Sequence, residues 1–346
     1  MQKTMQAVVK PTAAPGVEMR EVPVPQIGPT DVLVKVKFAS VCGTDLHIFN
    51  WDPWAQGRIK PPLIPGHEFC GTVAAIGSEV TAVKVGDFVS AEMHLACGKC
   101  YQCRTGEMHI CQNVKIIGVD ADGAFAEFVK IPESNIWELD PSLPVEYASL
   151  MDPLGNAVHT VLAGEIATKS VAIVGCGPIG LFAIAVAKAC GAGHVFALEI
   201  NEHRRALAST MGADTVLNPA KDNVEQIVKE KTHGIGVDVL CEMSGHPDGI
   251  RQGFKILRMG GRASLLGLPS RPMELDLAND IIFKGAIVQG INGRRMYQTW
   301  YQMEALLKSG KLDLNPVITH RIPMTDFAKG MDLLKTGEAS KILLYP

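Results

Sequence analysis

The sequence predicts an α/β protein with two domains: a β-rich N-terminal domain over residues 1–150 and a doubly wound, parallel-sheet domain over residues 151–292. Three observations predict this fold. Short alternating strands separated by Gly and Pro fill the first part, a strand–glycine turn–helix–strand unit begins the second, and strands and helices then alternate. Part of the segment from about 293 to 346 is expected to return and complete the sheet of the first domain.

Length and composition set the class of protein. A chain of 346 residues can form two cores, and 47% hydrophobic with 20% charged residues is typical of a soluble globular protein. A net charge of −3 gives no electrostatic case for nucleic acid or an anionic membrane as a partner. Residues 1–5 lack a signal-peptide core, and the most apolar run, 179–187, is too short to span a bilayer. We therefore expect a cytoplasmic enzyme, whose nine cysteines are thiols or metal ligands.

The first domain contains short segments that alternate apolar and polar residues or are bounded by turn residues. The predicted strands are 31–37, 71–76, 85–90 and 124–129. Such strands suggest a small barrel or sandwich, and the long segment 42–69 would cross one end of it.

That segment holds candidate metal ligands and proton carriers. Cys42, His67 and Glu68 are residue types that bind Zn²⁺, and a catalytic zinc keeps one position open for water or substrate. Thr44 and His47 could pass a proton onward from a ligand bound there. The alternative is a turn-rich loop with a buried thiol and ordinary surface histidines.

Four closely spaced cysteines come next. Gaps of two residues separate the first three, and a gap of seven precedes the fourth: Cys97, Cys100, Cys103 and Cys111. This spacing lets a tight loop wrap a tetrahedral zinc ion with no open position, so the predicted site is structural. The alternative is a set of buried or redox-active thiols. The neighbouring His94 and His109 are interpreted as surface or packing residues.

The second domain begins with a dinucleotide-binding pattern. A continuous apolar strand, 170–174, runs into the glycine turn, a helix follows over 181–190, and a second strand, 194–198, ends at Glu199. The glycines of that turn are Gly175, Gly177 and Gly180. They permit a tight turn and a close approach of the pyrophosphate to the helix N-terminus. Glu199 should accept hydrogen bonds from ribose hydroxyls and repel a 2′-phosphate, which favours NAD over NADP.

Several further residues could border the cofactor. Arg204 and Arg205 follow Glu199 and could cover the adenine or ribose edge, or simply form a solvated helix start. Strands at 237–241, 262–266 and 286–290 continue the parallel sheet, with helices at 223–229, 248–257, 296–308 and 325–335. Candidates for the nicotinamide half occupy the carboxyl ends of two of these strands: Leu266, Gly267, Leu268, Ile291 and Asn292. The alternative is that they form ordinary turns leaving a sheet.

In this order, metal-site candidates, a four-cysteine segment and a nucleotide-binding fold resemble the zinc-dependent medium-chain dehydrogenase/reductase family over essentially the whole chain. The resemblance implies a GroES-like barrel and a Rossmann domain with the active site in the cleft between them. It implies a catalytic zinc on Cys42, His67 and Glu68, with Asp152 approaching the metal or tuning its proton relay. The resting fourth ligand stays open between Glu68, Asp152 and water. The cysteines 97–111 match the family's structural zinc site, and Ile179 falls with Glu199, Arg204, 266–268 and 291–292 where the family contacts NAD.

Longer stretches indicate a branch of the family. Residues 42–55, 152–160, 293–294 and 299–301 resemble the branch that oxidises the β-hydroxyl of L-threonine with NAD. The implied mechanism passes the hydroxyl proton from Thr44 through the cofactor ribose to His47 and solvent, in a homotetramer with one catalytic and one structural zinc per subunit. Many alcohol dehydrogenases carry cysteine where this chain has Asp152, which argues against a simple alcohol-dehydrogenase site.

Alternatives to this branch stay open. A polyol, sorbitol or 2,3-butanediol dehydrogenase would use the same machinery, and a zinc-lacking NADPH-dependent quinone reductase or a nucleotide sensor belongs to another class. Glu68 or Asp152 could bind a substrate ammonium, and Arg294 a carboxylate, unless Arg294 is a structural ion-pair residue.

Overall fold

The computed structural model describes residues 2–269 and 271–346. The chain forms two compact units, Met1–Asp152 with Ile318–Pro346, and Pro153–Val317. The returning segment therefore begins at Ile318, later than the predicted position near 293. Residues 293–317 stay in the second unit because their helix buries Trp300 and Met303 there. Gly155 shows how close this packing is, since a Cβ on it would lie 2.5 Å from Arg294 Cδ.

The strands are named in chain order. They are β1 (Thr4–Val9), β2 (Glu18–Pro23), β3 (Asp31–Ser40), β4 (Glu68–Ile76), β5 (Phe88–Ala91), β6 (His94–Leu95), β7 (Lys115–Ile116), β8 (Phe128–Pro132), β9 (Ile136–Glu138), β10 (Ser170–Val174), β11 (His194–Leu198), β12 (Thr215–Leu217), β13 (Val237–Glu242), β14 (Leu257–Leu265), β15 (Ile287–Gly290), β16 (Ile318–Pro323) and β17 (Lys341–Tyr345).

The helices follow the same convention. They are α1 (Gly43–Asn50), α2 (Pro53–Arg58), α3 (Tyr101–Arg104), α4 (Val145–Ala148), α5 (Met151–Val161), α6 (Pro178–Ala189), α7 (Glu202–Thr210), α8 (Val224–Lys231), α9 (Pro247–Ile256), α10 (Gln298–Lys308) and α11 (Phe327–Thr336). A π-helical turn spans Leu277–Ile282, and 3₁₀ turns span Met108–Ile110, Glu133–Asn135, Asn315–Val317 and Met324–Asp326. Within residues 2–269 and 271–346, no helix combines the length and apolar character needed to cross a membrane.

The first unit is built on a seven-stranded sheet in the order β16-β17-β3-β4-β5-β9, with β8 also paired to β3. Its inward faces bury one apolar core that includes Val34, Val73 and Phe125. The C-terminal strand β17 runs antiparallel to β3, with Leu343 opposite Ser40. This register brings the end of the chain beside the residues that lead into Cys42.

Two predicted strands begin later than their sequence patterns suggested. The strand predicted at 85–90 starts at Phe88 because Lys84 and Asp87 close a turn, with the Lys84 N–H 2.8 Å from Asp87 Oδ2. The strand predicted at 124–129 starts at Phe128, since Phe125 N–H instead donates to the Pro65 carbonyl at 3.0 Å.

The segment between Cys42 and Glu68 forms helices that the sequence analysis did not predict. The α2 helix starts where Asp52 accepts the Ala55 N–H at 3.1 Å and Pro53 fills the first turn, a favoured combination at a helix start. Ile48 and Ala55 pack into one small buried cluster. The helices place the side chains of this segment at defined positions on the first unit.

The second unit contains a six-stranded parallel sheet in the order β12-β11-β10-β13-β14-β15. This is the order of the doubly wound dinucleotide-binding fold, in which ligands bind beyond the carboxyl ends of the strands where the order reverses. That point lies between β10 and β13. The strands predicted at 170–174 and 194–198 match β10 and β11, because a buried parallel strand is a continuous apolar run that the glycine turn ends.

Candidate active site

Cys42, His67 and Glu68 come together in the first unit, with one ligand atom from each lying within 4.8 Å of the others. Cys42 precedes α1, and its N–H donates to Asp45 Oδ2 at 2.8 Å. His67 immediately precedes β4 and Glu68 begins it, and the two residues are only 3% and 2% exposed. His67 is therefore a buried residue of a cluster, and the alternative of a surface histidine does not describe it.

The Glu68 carboxylate has one engaged and one unengaged oxygen. Its Oε2 accepts hydrogen bonds from Ser40 Oγ and the Lys341 ammonium. Lys341 also donates to the Val41 carbonyl at 2.9 Å, and Ser40 to that of Ser149 at 3.1 Å. Among the described residues, Glu68 Oε1 and His67 Nδ1 are buried without a hydrogen-bond partner. Buried polar atoms without partners are costly, so this donor set fits a bound cation.

Burial also shapes the acidity of this cluster. It raises the pKa of the Cys42 thiol to about 12, and the nearby Glu68 carboxylate adds to that rise. Burial likewise raises the pKa of Asp45 to about 6. A thiol of this kind becomes a ligand when a metal cation displaces its proton.

The candidate proton carriers lie on α1. Thr44 Oγ1 is 3.8 Å from Cys42 Sγ, and the His47 side chain is 56% exposed. His47 Nδ1 pairs with Asp52 Oδ2, a partner that the sequence analysis did not single out. Asp followed by Pro in a sequence indicates a helix start. The contact between Asp52 and His47 depends instead on the turn at Trp51, whose backbone is left-handed (φ 56°). Asp152 is 4% exposed in the first turn of α5.

The four cysteines of the second cluster also converge, with all Sγ atoms within 4.8 Å of one another. Cys100 Sγ lies 3.4 Å from Cys103 Sγ and 3.7 Å from Cys111 Sγ, distances far above a disulfide bond. The N–H groups of Lys99 and Cys100 lower the pKa of Cys97 to about 6. A closed set of four thiols with one thiol already acidic fits tetrahedral zinc.

Two buried histidines lie near this cysteine cluster. His94 is 5% exposed, and its Nδ1 lies 2.6 Å from Glu92 Oε1. His109 is 8% exposed. Neither belongs to the ligand cluster found among the described residues.

The glycine turn of the second unit has the geometry that a dinucleotide requires. Gly175 has φ +87°, and a Cβ on Gly180 would lie 2.0 Å from the Gly175 carbonyl oxygen. Gly177 is the N-cap of α6, and a Cβ there would meet nothing within 4 Å. Ile179 follows in the first turn. The turn therefore leaves an open approach to the N-terminus of α6, which suits a pyrophosphate.

Glu199 fixes the same turn. Its Oε2 accepts the Cys176 N–H at 2.8 Å, and its Oε1 accepts the Asn201 N–H at 2.9 Å. Each carboxylate oxygen can accept a second bond, so these contacts leave capacity for ribose hydroxyls. Arg204 Nε is buried without a partner in the described part of the chain. Arg205, in contrast, donates to the carbonyls of Glu199 and Ile200 at 3.2 and 2.5 Å and so closes the end of β11.

The loop after β14 is held from β13, and the loop after β15 from β14, where the Ile291 N–H donates to the Leu265 carbonyl at 2.9 Å. Leu266 and Gly267 donate their N–H groups to the Glu242 carbonyl at 2.9 and 3.1 Å. The fully buried Glu242 carboxylate, which the sequence analysis missed, accepts the N–H groups of Ser244 and Gly245 at 2.9 and 3.1 Å. The other candidates of these loops differ in exposure: Leu268 is 89% exposed, Ile291 is buried and Asn292 is exposed.

Arg294 lies in the interior of the second unit. It has no exposed surface, and its guanidinium carbon is 5.7 Å from the centroid of the Trp300 ring. This placement favours the structural role that the sequence analysis left as the alternative to binding a carboxylate.

Comparison with known proteins defines the class. Residues 28–141 match the alcohol dehydrogenase GroES-like domain, and residues 178–309 match the zinc-binding dehydrogenase domain. A zinc-binding dehydrogenase from Sinorhizobium meliloti 1021, solved with NADP, has a TM-score of 0.92 at 30% identity over 100% of both chains. The chain belongs to the zinc-dependent medium-chain dehydrogenase/reductase family and is an oxidoreductase with zinc and a nicotinamide dinucleotide as cofactors.

Relatives with higher sequence identity carry the name of one particular dehydrogenase. The L-threonine 3-dehydrogenase of Symbiobacterium thermophilum is 54% identical over 100% of this chain and 99% of its own length. The L-threonine 3-dehydrogenase of Bacillus subtilis is 50% identical over 99% of each. The 2R,3R-butanediol dehydrogenase of Bacillus subtilis has a TM-score of 0.88 and 28% identity, with 99% of each chain covered.

Proposed function

We propose that this protein is an L-threonine 3-dehydrogenase that converts L-threonine and NAD⁺ to 2-amino-3-oxobutanoate, NADH and a proton. The observation that carries the proposal is the 54% identity to an L-threonine 3-dehydrogenase over the whole chain. The butanediol dehydrogenase shares the fold but only 28% of the sequence.

Two groups of residues would hold zinc. The catalytic ion would lie on the half-buried Cys42 and on the buried His67 and unengaged Oε1 of Glu68. The structural ion would lie on the cysteines at 97, 100, 103 and 111. When bound, catalytic zinc supplies Lewis-acid stabilisation of the substrate oxygen as its proton leaves. Lys341 and Ser40 hold the other Glu68 oxygen and so orient the carboxylate.

The hydroxyl proton would leave through Thr44, the cofactor ribose and His47. Thr44 takes it from the substrate hydroxyl and passes it through the cofactor ribose to His47, whose side chain is 56% exposed and releases it to solvent. Asp152, a buried carboxylate at the start of α5, would tune this transfer through its charge.

The second unit would bind the cofactor. Gly175, Gly177 and Gly180 shape the turn that admits the pyrophosphate, with Ile179 in the first turn of α6. Glu199 would accept the ribose hydroxyls, with Arg204 beside them, and the loops at 266–268 and 291–292 would border the nicotinamide. The buried Glu199 charge disfavours a 2′-phosphate, which supports NAD over the NADP seen in the Sinorhizobium structure. Bound NAD supplies the acceptor for the hydride from the substrate Cβ.

The subunits would assemble as a homotetramer. β15 lies at the edge of the six-stranded sheet, and its Ile287 side chain is 61% exposed. Phe283, just before this strand, is 72% exposed. An exposed apolar edge strand is a common site of subunit contact, and sedimentation equilibrium would measure the subunit number.

Substrate and metal assays made together test the proposal. NADH formation is followed with L-threonine, D-threonine, sorbitol and 2,3-butanediol, and zinc is measured per subunit. We expect the highest kcat/KM with L-threonine and zinc at both clusters. A higher kcat/KM with 2,3-butanediol or sorbitol, or a zinc-free active protein, would refute the proposal.

A further inference from the structure

Asp52 uses its two carboxylate oxygens for two different contacts. Oδ1 accepts the Ala55 N–H at 3.1 Å and caps α2, and Oδ2 pairs with His47 Nδ1. The Asp52 N–H also reaches the His47 carbonyl at 3.4 Å. The cap fixes which oxygen faces the imidazole, because Oδ1 is occupied by the helix.

The pairing decides which imidazole nitrogen carries hydrogen. An ionised carboxylate only accepts hydrogen bonds, so Nδ1 of a neutral His47 must be the N–H nitrogen, and Nε2 keeps its lone pair. Burial raises the pKa of Asp52, but the Ala55 N–H and the His47 imidazole outweigh burial and hold that pKa below its usual value. The carboxylate is therefore ionised at neutral pH. The Trp54 ring, 5.9 Å from the imidazole, lies against it from α2.

We propose that Asp52 is a positioning residue for proton release, because it holds His47 in the Nδ1–H tautomer and leaves Nε2 as the proton acceptor. This inference rests on the proposed function, in which each oxidation sends one hydride to NAD⁺ and one proton through Thr44 and the cofactor ribose to His47. Nε2 accepts that proton, and the imidazolium returns one proton to solvent, so the ring is neutral again after each turnover.

Two substitutions separate the tautomer from the helix cap. Asp52→Asn keeps a capping oxygen toward Ala55, and its amide then donates to Nδ1, which forces the Nε2–H tautomer and blocks proton acceptance. Asp52→Ser keeps the cap but leaves both tautomers accessible. Asn and Ser cap helices about as well as Asp.

The expected order of kcat is therefore wild type, then Asp52→Ser, then Asp52→Asn. With L-threonine, we expect a decrease of about 3-fold for Asp52→Ser and at least about 10-fold for Asp52→Asn; the full contribution of general acid–base catalysis, about 10²- to 10⁴-fold, sets the upper limit. Zinc content, the Kd of NADH and the Tm should stay unchanged. The matched control is Asp276→Asn, which alters an aspartate that caps the Leu277–Ile282 turn in the second unit and should leave kcat unchanged.

A double-mutant cycle gives the decisive comparison. In a His47→Gln background, Asp52→Asn should lower kcat no further, because position 47 then has no imidazole whose tautomer Asp52 could determine. A further decrease there, or equal kcat for Asp52→Ser and Asp52→Asn, would overturn the inference. If the wild type oxidises another of the four alcohols instead of L-threonine, the proposed function fails, and the same cycle tests Asp52 with that alcohol. If it oxidises none of them, both proposals fail.

Discussion

The two candidate metal clusters are built in opposite ways. The cysteine cluster takes all its ligands from residues 97–111, and three of its four residues are partly exposed. The cluster of Cys42, His67 and Glu68 joins the start of α1 to the start of β4, and Lys341 reaches it from the C-terminal strand. A local loop can fold around one ion by itself, whereas the buried cluster needs the sheet of the first unit to form. Substitution of a ligand in the cluster of Cys42, His67 and Glu68 should therefore lower mainly the activity, and substitution of a ligand in the cysteine cluster mainly the stability.

The largest effect is expected from His67→Ala. It removes a proposed ligand of the catalytic ion, and losing a Lewis acid worth several kcal/mol should lower kcat by about 10³-fold or more. Zinc analysis should show loss from this cluster only, with the cysteine cluster still loaded. If His67→Ala retained most of the activity, the cluster of Cys42, His67 and Glu68 would not be the catalytic metal site.

Lys341→Met should act mainly on stability. Lys341 and Glu68 are 2% and 2% exposed, so the substitution leaves a buried carboxylate without its cation. Breaking such a pair costs about 3 kcal/mol or more. The free energy of unfolding, measured in denaturant with and without a zinc chelator, should fall most in the chelated protein, because zinc compensates for the lost positive charge. The control Lys84→Met changes an exposed lysine of the same unit and should have little effect in either condition.

Cys103→Ser should remove zinc from the cysteine cluster and leave the chemistry intact. We expect a loss of about 2 kcal/mol of stability, or a Tm lower by roughly 4 to 8 °C, with kcat within about twofold of the wild type. Cys190→Ser alters a cysteine outside both clusters and should retain full zinc content. Loss of activity without loss of stability in Cys103→Ser would reverse the roles assigned to the two clusters.

The same contrast explains which features the sequence could predict. The cysteine spacing lies within one loop, and the glycine turn with Glu199 lies within one βαβ unit, so local patterns were sufficient. Lys341 beside Glu68 was not predicted, because it depends on the register of β17 against β3 between distant parts of the chain. From the sequence, Asp52 could be predicted only as a helix cap. Its contact with His47 could not be predicted, because it depends on the turn at Trp51.

The smallest effect should come from Glu146, which ties the returning segment to α4. Arg321 Nε and Nη2 donate to Glu146 Oε1 and Oε2, each at 2.7 Å, and this pairing lowers the pKa of Glu146. The Arg321 and Glu146 side chains are 43% and 27% exposed, so solvent screening limits the pair to about 1 kcal/mol or less.

A depressed folded-state pKa gives the pair a defined pH dependence. Its stabilisation is present above the unfolded-state pKa of Glu, near pH 4.3, and is lost as pH falls through the lower folded-state pKa. Glu146→Gln should therefore be less stable than the wild type at pH 7 and approach it below about pH 4. Denaturant unfolding at several pH values measures this difference, with the exposed Glu79→Gln as the control.

In Glu146→Gln, zinc should also be released faster from the cluster of Cys42, His67 and Glu68 alone, because only that cluster depends on the returning strand. Faster release from the cysteine cluster as well would show that the two metal clusters are coupled.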